Sequence, residues 1–564
     1  MKLLINATVY PMAGRQMRAE AMAWEKGRIV AVGRQADLTG RFPRAQTVDT
    51  RGGIVVPGFI DPHIHFLPGI LYRRALDCSA ANAPTVDALK AILSRAARSR
   101  PADHWVIGQG YDPWEYPDRK PPTRHDLDAA CPNHPTAIFH YSFHECVANS
   151  KALALAGIDR HTSDPFAGQI RKDRNGRPDG GLIETAMAEV HRLSQQFLLN
   201  HCREAILAEL PAAQQDLFAC GITRIGDPAV DSGAYGLYAQ AYSRDILQLP
   251  VVVHFCSDRH MFKLPWDVLS APFPPSPNPR LIHGPLKIFL DGADRAAVEM
   301  SLGKFLLTCA ATLIRCCRER SPDPLMLAGR SPSRLGKDLK VRFGTMMAET
   351  EEGIQLARKA TQMGFPLAFH AIGNQAVNQA VEIVRQVRNT HPTAAPPRIE
   401  HALFLEDETI RAIQELGIAV VTQPAFLPHM DPTNVPYLPG FRQMPINTFL
   451  ASGIRVAGSS DWPVASHDPL LAMHHAVTRT TRGQHVLQPE ESVTVEAAMA
   501  MYTTEAAYVL GCGHEVGSLE AGKRADFLVL TNDPYRHAQD LTNHVEVRQT
   551  WLDGKRVFSR EVAA

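Results

Sequence analysis

Short β-branched runs bounded by turn residues alternate with helix-spaced apolar segments through most of this chain. The apolar runs predict strands over 54–65, 223–227, 251–255, 286–291, 366–371, 398–401, 418–423 and 454–461. Apolar positions three and four apart predict helices between them, for example over 351–363 and 375–388. Eight strands alternating with helices predict an α/β chain folded as a (β/α)8 TIM barrel. In that fold the working residues gather where strands end.

Two parts fall outside the barrel pattern. Residues 1–53 read as short strands and turns (3–10, 21–32, 47–50), with Lys26-Gly27 as a hairpin turn, and residues 511–564 read the same way. Chain termini tend to lie close together, so both ends are expected to build one small β-sandwich beside a barrel spanning 54–510. A large insertion at about 67–220 follows the first barrel strand and is too long for a plain loop. Its Pro/Gly-rich stretch 164–180 is expected to form a hairpin or loop. A second excursion, 300–342, contains the apolar run 305–314. A lid, an oligomer contact and a buried helix all fit it, the buried helix being the simplest.

Composition narrows the class. With 564 residues, 45% hydrophobic and 21% charged, the chain suits a large globular protein. A formal net charge of +1 gives no reason to expect a nucleic-acid partner. The opening Met1-Lys2-Leu3-Leu4-Ile5-Asn6 turns polar too soon for a signal peptide, and no apolar run reaches the roughly 18 to 20 residues of a membrane span. The ten cysteines lack CxxC spacing, Cys316-Cys317 being the nearest pair, so a reducing cytoplasm is the expected compartment.

Candidate chemistry sits at the predicted strand ends. His63 and His65 close the first strand one residue apart, which would place both rings on one face of an extended segment. Histidine is the commonest metal ligand, but a lone His-x-His is weak evidence. His370, His401 and Asp461 also lie at or near strand ends, and Lys287 lies within one. Independent structural histidines would not choose that position so consistently.

The segments VVPGFIDPHIHF, FHECVANSKAL, AGQIRKDRNGRPDGGLIE, CGITRIGD, PLKIFLDG, LAFHAIGNQAV, RIEHA, GSSDWPV and GSLEAGKRADFLVL run from end to end in that order. Together they resemble the amidohydrolase superfamily, and within it amidohydrolase family 3, the branch that includes N-substituted formamide deformylases. The resemblance implies one or two divalent metal ions, zinc by preference. It implies His63 and His65 on the more buried ion, His370 and His401 on the second, and Asp461 as the carboxylate ligand. Lys287 falls where binuclear members carry a carboxylated lysine; as an ammonium in a salt bridge it would leave a mononuclear site. His144 matches a family histidine near the substrate pocket, either donating a hydrogen bond to substrate or packing the insertion against the barrel.

Two departures from the family pattern stand out. Asn374 replaces an aspartate after the strand-five histidine, and Ser142-Phe143-His144 replaces Asp-Gly-His. Tyr111, Trp114 and Tyr116 would line an aromatic pocket or form the insertion's own core. Asp227 and Asp291 would position substrate or ligands, or serve as caps.

The expected function is metal-dependent hydrolysis of a non-peptide C–N bond in a small amide, N-formyl or N-acyl compound. A metal-activated hydroxide would attack, with Asp461 as general acid and base. A mononuclear aminohydrolase (deaminase) and a catalytically silent regulatory relative are the alternatives, separable by metal content. A small-molecule substrate is the one expected partner, with neither nucleic acid nor membrane; a homodimer is left open as the commonest symmetric assembly.

Overall fold

The computed structural model describes the chain except for residues 15–17, 257–267, 270–274, 293–294, 329–332, 389–394, 431–437 and 561–564. The barrel strands are β1 (Phe59–Asp61), β2 (Ile222–Val230), β3 (Val251–Cys256), β4 (Leu281–Phe289), β5 (Leu367–Gly373), β6 (Arg398–Leu405), β7 (Ala419–Thr422) and β8 (Val456–Gly458). They pair in chain order, each parallel to the next. Every residue of β3, β5 and β7 is buried, as expected for strands covered on both faces. Helices Thr350–Gln362 and Asn374–Val387 flank β5. The seam between β8 and β1 closes just past the strand ends. There Asp461 N–H donates to the His63 carbonyl and His65 N–H to the Trp462 carbonyl, both at 2.8 Å.

The first predicted strand, 54–65, is two strands and a loop. Gln46–Pro57 belongs to the sheet built by the termini, and only Phe59–Asp61 enters the barrel. Gly58 makes the break, because a Cβ there would lie 2.3 Å from Thr223 Oγ1. Pro62 has no N–H to continue the ladder. His63 and His65 therefore sit beyond the strand, their rings 5.5 Å apart at 81° rather than side by side on one face.

Both termini meet in a single seven-stranded sheet, where Val55 pairs with Val529 across antiparallel strands. The sheet folds back on itself: Trp24 lies 5.4 Å from the Phe527 ring and 5.7 Å from the Trp551 ring, with Leu4, Met22 and Ile29 in the same core. The Lys26-Gly27 turn has φ of 50° and 80° at its two positions, which matches the twist of a two-residue hairpin.

The insertion carries its own six-stranded sheet, from Leu76–Asp77 to Pro178–Glu184, with a core that includes Leu89, Leu93 and Tyr111. Its Pro/Gly-rich stretch is a hairpin in which the Asp173 carboxylate accepts from Asn175 N–H and Arg177 N–H. The second excursion corrects an expectation. Its helix, Leu302–Glu319, is not buried: only Thr308 and Thr312 are, while Leu306, Leu307, Leu313 and Ile314 face outward. An apolar run shows that a face needs covering but not what covers it. No helix among the described residues is long and apolar enough to cross a membrane.

Candidate metal centre

Five barrel strands deliver side chains to one mouth. His63 and His65 follow β1, Lys287 lies on β4, His370 on β5 and His401 on β6, and Asp461 follows β8. The His370 and His401 rings are 4.5 Å apart, and those of His63 and His401 5.2 Å. Asp461 Oδ1 stands 3.2 Å from Nε2 of both His63 and His65. His401 and Asp461 adopt φ of 80° and 57°. Left-handed backbone at residues other than glycine costs about 1–3 kcal/mol and concentrates at functional sites.

Three of the four rings are aimed by a partner on Nδ1. Glu400 Oε2 lies 2.6 Å from His63 Nδ1, Gln423 Oε1 2.8 Å from His401 Nδ1, and Asp291 Oδ1 3.1 Å from His370 Nδ1. These partners are held in turn. Arg398 Nε donates to Glu400 at 2.7 Å, Gln423 Nε2 donates to Ser459 Oγ at 2.9 Å, and Asp291 accepts N–H bonds from Ala297, Ile372 and Gly373. Such outer partners fix the tautomer and the direction of a ligating imidazole.

The electrostatics prepare the site for a cation. Burial pushes the His370 and His401 imidazoles well below the usual histidine range, leaving them neutral, the ligand form. Burial also lowers His65. At His63 burial and Lys287 oppose charge, but the Glu400 and Asp461 carboxylates prevail and raise it. Burial would raise Asp461, yet His63 and His65 hold it well below the carboxylate range. Burial brings the Lys287 amine down to about 8.

Two buried nitrogens here, Lys287 Nζ and His401 Nε2, have no hydrogen-bond partner, and Asp461 Oδ1 meets only the Nε2 atoms of His63 and His65. Donor atoms of His63, His401 and Asp461 all lie within 4.8 Å of one another, the one such grouping among the described residues. Imidazole nitrogen and carboxylate oxygen are the ligands of zinc and related divalent ions, so the donor set fits such an ion.

The insertion adds one further pair. His144 Nδ1 lies 2.6 Å from Glu184 Oε2, and its ring centre is 6.1 Å from that of His370. Glu184 is buried, adopts φ of 52°, and its Oε1 has no hydrogen-bond partner. Gly292 admits this carboxylate, since a Cβ there would come within 2.1 Å of Oε1. Other candidates have structural surroundings. Asp227 accepts from Tyr238 O–H and Leu67 N–H, tying the first helix of the insertion to β2. Tyr111 is in the insertion's core and donates to Glu145. Tyr116 is buried and Trp114 half-buried. The Phe143 ring packs against Tyr72 at 4.2 Å. Asn374 donates to the Glu299 carbonyl and Glu406 and accepts from Glu299 N–H, so it braces a neighbouring strand.

Sequence reasoning missed Glu400, Gln423 and Glu184. Glu400 precedes His401 directly, but its partner His63 is 337 residues away. A cavity of about 510 Å³ opens nearby, lined by Phe166, Leu335, Phe343, Arg334, Arg342 and Met346 among others. Met346 bridges to the backbone of Asp291.

A sequence model of the amidohydrolase family matches residues 46–558. The chain belongs to the amidohydrolase family. It is an enzyme, a hydrolase of carbon–nitrogen bonds other than peptide bonds. It is 30% identical over 571 residues to the N-substituted formamide deformylase of Arthrobacter pascens, covering 99% of this chain and 98% of that one. The fold is shared with an uncharacterized metal-dependent hydrolase from Pyrococcus horikoshii OT3, at TM-score 0.67 and 21% identity, over 95% of this chain and 98% of that one. An adenosine deaminase from Xanthomonas campestris with bound zinc has TM-score 0.52 and 15% identity, over 99% of this chain and 92% of that one.

Proposed function

We propose that this amidohydrolase cleaves the C–N bond of a small N-formyl or N-acyl amine at a centre of one or two divalent ions, zinc by preference. The observation that carries the reading is the cluster of His63, His401 and Asp461, whose donor atoms lie within 4.8 Å of one another, together with Lys287 Nζ and His401 Nε2, two buried nitrogens with no hydrogen-bond partner. The similarity to a formamide deformylase over nearly the whole of both chains supports the substrate class. His63, His65, His370, His401 and Asp461 hold the metal. A divalent ion there lowers the pKa of water towards ~7 and polarises a carbonyl.

The chain's own residues supply the rest. Asp461 takes the proton released as water adds to the carbonyl carbon and passes it to the departing nitrogen. Glu184, 2.6 Å from His144 Nδ1, holds the ring in place so that His144 serves the substrate carbonyl oxygen as a hydrogen-bonding group. Neutral Lys287 is the residue whose Nζ would add to carbon dioxide and lose a proton, and the carbamate would supply oxygen ligands where a second ion binds. The nearby cavity, with Phe166, Leu335 and Phe343 in its lining, receives the apolar substituent. The free cysteines suit a cytoplasmic enzyme.

Purified, zinc-loaded protein is tested against a panel of N-formyl and N-acetyl amines, with amine release as the signal. Turnover of at least one N-formyl amine, lost on chelation, is expected. Turnover of aminopurines or other amidines with ammonia release, and of no amide, would move the protein to the second reading, a mononuclear deaminase. The tight trio of His63, His401 and Asp461 favours that reading as far as ion number goes.

A further inference from the structure

We infer that the Leu302–Glu319 helix is a dimer interface, pairing antiparallel with the same helix of a second copy about a two-fold axis at Ala310. One side of the helix is seated on its own chain. Phe305 packs against Phe343 at 5.7 Å, beside the cluster of Val298, Met300 and Phe441. Thr308 and Thr312 are buried, and their hydroxyls donate back to the carbonyls of Lys304 and Thr308.

The other side is bare. Leu306, Leu307, Leu313 and Ile314 are 59%, 62%, 55% and 58% exposed, and Gly303, Ala310 and Cys317 are exposed between and beyond them. These positions repeat every seven residues (303, 310 and 317; 306 and 313; 307 and 314), the heptad period of a coiled-coil seam. The seam holds no charge. Lys304 and Arg315 lie off it and are engaged by Glu406 and Glu319.

The order of sizes along the seam identifies the occupant. Read in either direction from Ala310, it runs small, two large, small: Leu307 and Leu306 then Gly303 one way, Leu313 and Ile314 then Cys317 the other. A two-fold contact presents one surface to itself, and this surface is its own complement. Antiparallel pairing sets Leu306 against Ile314 of the second copy, Leu307 against Leu313, and Ala310 against Ala310, where two small residues let the backbones approach.

The area agrees. Leu325, Leu335 and Leu339, in the same excursion, are 54%, 60% and 64% exposed, so seven of the fourteen exposed large apolar side chains among the described residues belong to it. At roughly 100 Å² of apolar surface each, the four large residues of the seam offer about 400 Å², already the size of the largest patch on an ordinary monomer, and Leu325 and Leu339 add to the apolar surface of the same excursion.

Sedimentation of the full chain from low to high micromolar concentration tests the inference. Wild type is expected to be dimeric, and Leu307→Glu with Leu313→Glu to weaken the dimer by about 100-fold or more, with an unchanged circular dichroism spectrum. Ala310→Cys in a Cys317→Ser background is expected to be joined to a second copy by a short bis-maleimide, whereas Leu155→Cys, exposed on the insertion, is not. A monomeric wild type, a dimer indifferent to the two glutamates, or no cross-linking at position 310 would each overturn it. Neither readout depends on the substrate or the metal.

Discussion

The barrel mouth and the Leu302–Glu319 helix depart from ordinary burial in opposite directions. At the mouth a lysine, two carboxylates and three histidines are buried together, Lys287 at 1% exposure and Glu400 at 0%. On the helix, leucines stand in solvent, Leu307 at 62%. Burying charge and exposing large apolar groups are both costly, and each is tolerated where something outside the chain repays it. At the mouth buried imidazole nitrogens and a carboxylate oxygen crowd within 4.8 Å of one another, which is a description of a cation site. On the helix the uncovered atoms are carbon, arranged as a seam that repeats itself in reverse, which describes a second copy of the same seam.

The comparison breaks most visibly at Asp461. Replacing it with Asn keeps the shape of the site but removes the proton carrier, so kcat should fall by about 10²–10⁴-fold with most of the metal retained. Steady-state kinetics beside elemental analysis check both halves of that statement. Glu400→Gln tests the layer behind the ligands: metal affinity should drop by about 10–100-fold as His63 loses its orienting carboxylate. Glu400→Ala should in addition destabilise the fold by about 3–5 kcal/mol, because Arg398 stays buried without its partner. Denaturant unfolding of the two variants separates these effects.

How far the mouth could be read from sequence depends on how local each signal is. The strands bearing Lys287, His370 and His401 were legible because a buried parallel strand is a short apolar run, and a polar residue interrupting it stands out. His63 and His65 were legible as a pair but not in position: Pro62 was a sequence signal for the end of the strand, but the close approach of Thr223 to Gly58 is a tertiary fact. Glu400, Gln423 and Glu184 carried no signal, because each earns its role from a partner far along the chain. The apolar run at 305–314 signalled a helix face needing cover, and composition does not distinguish a covered face from one awaiting a partner.

Asn374→Asp sharpens the contrast between ligand and brace. The change sets a carboxylate against Glu406 and the Glu299 carbonyl in place of a donor, and should cost about 1–3 kcal/mol of stability with little change in kcat. Thermal unfolding with parallel kinetics reads it. The smallest effect is the pH dependence set by Lys287. Burial holds its amine at about 8, below its ordinary 10.5, so between those values the unfolded chain binds more protons than the folded one. Metal-free protein should therefore gain stability as pH rises through that window, and Lys287→Met should remove the gain.

The central claim is that His63, His65, His370, His401 and Asp461, with Lys287 beside them, hold a divalent ion. Elemental analysis after equilibration with zinc and gel filtration tests it most directly, run on wild type and on His63→Ala with His401→Ala. One or two equivalents per chain in wild type, absent from the folded double variant, are predicted. A folded wild type that retains no zinc, or a double variant that retains as much as wild type, would contradict the account.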